Sequence, residues 1–79
     1  MPPTEPLPAW VLAHRRTIGN RIRGARTSRR LSQERLGELA GVDRQTINRI
    51  EQGHVSTRID TLMLIARSLD TPLADLVRM

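Results

Sequence analysis

With 79 residues the chain has room for one small core and one binding surface, and its lack of cysteine removes disulfide staples and thiolate metal sites. The two histidines, His14 and His54, stand forty positions apart, and no apolar run approaches the roughly 18 residues of a membrane span, so no metal, cofactor or membrane role is expected. Formal charge is +5 and all thirteen basic residues are arginine, whose planar fork pairs bidentately with phosphate and with guanine edges, which makes a polyanion the expected partner.

The charge is uneven. Seven arginines and no acid fall between Pro6 and Gln33, whereas from Glu51 onward three arginines face four acids. A solvated basic surface that merely aids solubility would give the same totals, so the motifs must decide.

Met1 to Pro8 contain four of the five prolines and read as an extended arm, taken as residues 1–9, ahead of a domain over 10–79. From Trp10 to about Arg30, Val11, His14, Ile18, Ile22 and Ala25 recur at helical spacing, as one amphipathic helix or two pieces breaking near Gly19. Ser32 is an N-cap and Glu34 suits the first turn of a second helix, whose apolar face is Leu36, Leu39 and Ala40 and which ends at Gly41. Asp43 caps a third helix facing inward through Ile47 and Ile50 and ending at Gly53. Ser56 or Thr57 caps a fourth, with Ile59, Leu62, Met63, Ile65, Ala66 and Leu69 apolar and Met63 ordinary core. Thr71 and Pro72 read as N-cap and first position of a short fifth helix carrying Leu73, Leu76 and Val77. The expected fold is all-α, five helices without a strand.

The unit over residues 33–52 carries the chemistry. Leu36 and Ala40 can pack on Ile47 and Ile50 across a tight turn at Gly41, and small Gly37 lets the two helices approach. That leaves Arg44, Gln45, Asn48 and Arg49 on the outer face of the third helix. Arginine pairs with guanine and Asn or Gln with adenine, so this is the composition of a helix that reads base edges.

Leu31-Ser-Gln-Glu-Arg-Leu36, Gly41-Val42, Thr46-Ile-Asn-Arg-Ile-Glu-Gln-Gly53, Thr61-Leu-Met-Leu-Ile-Ala66 and Pro72-Leu-Ala-Asp-Leu76 together resemble the helix-turn-helix domain of the lambda repressor and Cro group, the XRE family. The resemblance covers more than half of the chain. It implies base contacts from Arg44, Gln45 and Arg49, a phosphate contact at Gln33, and an ion pair between Arg26 and Glu51. Ser32, Thr46 and Gln52 join the expected phosphate contacts, with Ser56, Thr57 and Arg58 in the loop before the fourth helix. The chain departs from the family at Gly37, where many members have alanine, and in the loop from Gly53 to Arg58, which lacks the usual proline.

Trp10, the only aromatic residue, is expected to pack into the core, or else with the arm to cover a second subunit. Leu73, Leu76 and Val77 form a competing dimer surface. His14 and His54 read as solvent-facing or loop residues, with no nucleophile or paired acid nearby in sequence. The expected function is a sequence-specific transcriptional regulator, not an enzyme, cytoplasmic and nucleoid-associated, binding double-stranded DNA as a homodimer on an inverted repeat. A restriction-modification controller, an autoregulating antitoxin and a phage or plasmid regulator all fit. A protein-interaction module docking an acidic partner is the reading from another class.

Overall fold

A computed structural model describes residues 6–79. Residues 1–5 of the expected arm lie outside the described residues, and Pro6–Pro8 lead without regular structure into α1. Five helices follow: α1 Ala9–Ser28, α2 Gln33–Ala40, α3 Arg44–Glu51, α4 Ile59–Ser68 and α5 Leu73–Val77. No strand occurs among the described residues, and no helix of theirs is long and apolar enough to cross a membrane.

α1 is continuous, so of the two alternatives the single helix holds and the break near Gly19 does not occur. Glycine stands there because α3 presses on it: a Cβ at Gly19 would lie 2.5 Å from the carbonyl oxygens of both Ile50 and Glu51. The helix then stops at Arg30, which adopts φ 56°, with the Leu31 N–H bonded to the Arg26 carbonyl and the Arg30 N–H to Thr27. This is the left-handed ending usually given to glycine, here carried by arginine.

Local caps set the next two helices. The Ser32 hydroxyl accepts from the Arg35 N–H, and Gly41 closes α2 at φ 73°. Gly37 is the close-approach point of the turn, since a Cβ there would sit 2.3 Å from the Val42 carbonyl oxygen. Alanine, whatever its helix propensity, would force α2 and the start of α3 apart.

Ile22, Leu36, Ala40, Ile47, Ile50, Leu62, Ile65, Ala66, Leu69 and Leu76 form the core, with all five helices contributing. Several expectations are corrected. α4 begins after Arg58 with no side-chain cap, so neither Ser56 nor Thr57 caps it. α5 starts at Leu73 with Pro72 as its cap residue, and the Thr71 hydroxyl donates to the Leu69 carbonyl instead. Leu39, Ile59 and Met63 are exposed, as is Trp10 at 62% of its surface, so none of them packs as core. Leu76 is buried, which removes it from any dimer surface.

His14 is half-buried, not solvent-facing, and its Nε2 lies 2.9 Å from the Val77 carbonyl oxygen. Arg21 donates to the Leu76 and Arg78 carbonyls. Two side chains of α1 thereby satisfy carbonyls that the short α5 leaves unpaired at its end.

Candidate nucleic-acid interface

α3 has eight residues, and a helix advances about 100° per residue, so 44, 45, 48 and 49 share an arc of about 140° opposite Ile47 and Ile50. Arg44, Gln45 and Arg49 are exposed, while Ile47, Ile50 and Glu51 are buried. Packing against α1 and α2 through its buried side fixes the angle at which α3 projects. The exposed side presents two guanidinium groups and one amide.

The start of α3 is held by Asp43, whose carboxylate accepts from the Thr46 N–H at 2.8 Å and from the Thr46 hydroxyl at 2.9 Å. The first of these bonds, then the second, holds the Asp43 carboxyl below its ordinary pKa. Thr46 therefore gives its donor to the cap, and a carboxylate stands where a phosphate contact was expected.

Behind the exposed face runs a polar network. Arg26 donates from Nε to Glu51 Oε2 at 2.7 Å and from Nη2 to Oε1 at 2.9 Å, while its Nη1 reaches the Leu31 carbonyl at 2.8 Å. The side chains retain 12% and 3% of their accessible surface, so this ion pair is buried. Its hydrogen bonds raise the Arg26 pKa above the usual value. The pair ties α1 to the end of α3, where a lone carboxylate would oppose the helix dipole.

Gln33, at the start of α2, points into this network: its Nε2 donates to Glu51 Oε1 and to Asn48 Oδ1, both at 3.1 Å. Both amide hydrogens of Gln33 are thus committed within the protein. Asn48 is half-buried and its oxygen also receives Gln52 Nε2 at 3.4 Å. The network floors a notch of about 150 Å³ lined by Arg23, Arg26, Gln33, Asn48, Glu51 and Gln52. Ser32, the cap residue of α2, and Gln52, which follows α3, are both exposed.

The loop after α3 carries Ser56, exposed, Thr57, half-buried, and Arg58, whose side chain is 83% exposed with Asp60 3.9 Å away. His54 is an exposed loop residue. Sequence reasoning missed the links between Gln33 and Asn48 and from Arg21 to the chain end; each joins positions far apart in sequence that no local pattern relates.

A helix-turn-helix family model matches residues 22–76, which spans the core helices and the whole network. The chain belongs to this family. It is 30% identical over 60 residues to the control protein C.SmaI of Serratia marcescens, covering 76% of this chain and 71% of that one. Among solved structures, it resembles the restriction-modification controller protein C.AhdI of Aeromonas hydrophila at 33% identity and TM-score 0.79, over 81% of this chain and 97% of that one. A helix-turn-helix transcriptional regulator from Vibrio cholerae matches at 30% identity and TM-score 0.78, over 84% of this chain but 37% of that longer one.

Proposed function

We propose that this chain, a DNA-binding transcriptional regulator by family, recognises an inverted-repeat operator as a homodimer that places α3 of each subunit in successive major grooves roughly 34 Å apart. One observation carries the reading: Arg44, Gln45 and Arg49 are exposed together on one side of a helix whose other side is locked into the core. The major groove, about 12 Å wide, admits such a helix, and these side chains match guanine and adenine edges. Asn48 completes the base-reading set. Phosphate contacts come from Ser32, the N–H of Gln33, Gln52, Ser56, Thr57 and Arg58, on the segments flanking α3.

Pairing is supported by apolar side chains that the single chain leaves uncovered. Ile59 and Met63 lie one turn apart on α4, with Leu64, Leu39 and Trp10 also exposed. Among regulator classes, a restriction-modification controller is favoured by the likeness to two proteins so described. An adjacent methyltransferase and endonuclease gene would support that assignment, and an adjacent small toxin gene would replace it with an antitoxin.

Selection from randomised duplex DNA tests the proposal. Arg49→Ala is expected to weaken binding by about 1–3 kcal/mol and to relax one operator position. An unchanged consensus for the variant would refute the role given to Arg49. A protein-interaction module would select no consensus at all.

A further inference from the structure

The buried carboxylate of Glu51 dictates which way the amide of Asn48 faces. A carboxylate paired with a guanidinium accepts and does not donate, and Glu51 accepts from Arg26 through both of its oxygens. The Gln33 amide must therefore meet Glu51 Oε1 with its nitrogen. The second hydrogen of that nitrogen goes to Asn48, which must in turn present its oxygen. Gln52 Nε2 approaches the same oxygen, so both acceptor sites of Asn48 Oδ1 are engaged.

What remains of Asn48 is its Nδ2, which takes part in no hydrogen bond among the described residues. No buried side-chain nitrogen or oxygen among them lacks a partner, so this half-buried residue's Nδ2 is open to solvent. Asparagine reads adenine bidentately by pairing one donor and one acceptor with the base edge. Here the acceptor is already occupied.

We propose that Asn48 is a donor-only specificity residue, donating to guanine O6 and N7 or to thymine O4 and lacking the free acceptor that adenine N6–H needs for bidentate pairing, and that Gln33 is the positioning residue that fixes this polarity. The assignment rests on the reading that α3 enters the major groove. It departs from the pairing of asparagine with adenine that composition alone suggests.

The test compares consensus sequences selected from a randomised duplex library, at one salt concentration, by the full-length wild type, Gln33→Met and Asn48→Asp, each checked for folding by thermal melting. Gln33→Met leaves the bidentate Arg26 pair on Glu51 intact but frees the Asn48 amide to turn over. Wild type is expected to prefer guanine or thymine at the position read by residue 48. Gln33→Met is expected to admit adenine there, with the discrimination falling about tenfold. Asn48→Asp keeps an acceptor for Gln33 and Gln52 but removes the outward donor, and is expected to lose the preference at that position while retaining the others.

An adenine preference in wild type, or an unchanged consensus with Gln33→Met, would overturn the proposal. Uniform weakening by Asn48→Asp without a change of consensus would also overturn it, by making Asn48 a phosphate contact. If wild type selects no consensus, the groove-docking reading fails along with this one. If it selects one that both variants preserve, this inference alone fails.

Discussion

Arg26→Met removes the cation from beside a carboxylate that keeps 3% of its accessible surface. Glu51 would then be left with the Gln33 amide as its remaining donor, and the Leu31 carbonyl would lose the Arg26 Nη1 bond. Stranding one partner of a buried ion pair costs about 3–5 kcal/mol, whereas breaking a surface pair costs about 1 kcal/mol or less. Total stability at about 0.05–0.15 kcal/mol per residue comes to about 4–12 kcal/mol for this length, so the substitution removes a large fraction of it. In a domain of this size each kcal/mol moves Tm by about 4–8 °C, and the expected fall is about 12 °C or more. Urea titration and thermal melting by circular dichroism measure it. Arg26→Met/Glu51→Leu is expected to recover at least half of the loss, because no charge is then left buried alone. A loss under about 1 kcal/mol for Arg26→Met, or a double variant whose loss equals the sum of the singles, would refute the claim that burial gives this pair its importance.

Gly37→Ala is expected to lower Tm even though it raises helix propensity by about 1 kcal/mol, since its Cβ would meet the Val42 carbonyl oxygen; a rise in Tm on calorimetry would show that the turn yields. Asp43 should make stability pH-dependent. Its folded pKa lies below the unfolded value, so its contribution is present above about pH 4 and is lost as pH falls through the folded pKa. Comparing acid unfolding of the wild type with that of Asp43→Asn checks this, the variant showing the shallower dependence on pH.

What could be read from the chain beforehand divides by range. Ser32, Gly41, Asp43 and Gly53 were legible because caps act within one turn of the residue that makes them. The endings at Arg30 and Asp70, both with positive φ, were not, since no glycine marks either position. The period of apolar residues located α4 but placed Met63 and Ile59 in the core. Periodicity marks an apolar face without saying whether this chain or another covers it.

The exposed face of α3 was legible for a different reason. Once Ile47 and Ile50 are inside, helical geometry leaves Arg44, Gln45 and Arg49 nowhere else to go. The orientation of Asn48 was not, because it follows from a chain of donors that starts at Arg26 on α1, passes through Glu51 on α3 and Gln33 on α2, and returns to α3. The role of Gly19 was hidden for the same reason. In sequence it looks like a weak point, and only the nearby carbonyls of α3 show that it is a contact.

Methylation interference on the selected duplex tests most directly whether α3 enters the major groove. Methyl groups placed on guanine N7, on the major-groove edge, should block binding within two patches about one helical turn apart, and methyl groups on adenine N3, in the minor groove, should not. Interference confined to the minor groove, or equal at every position along the duplex, would contradict major-groove reading by Arg44, Gln45 and Arg49.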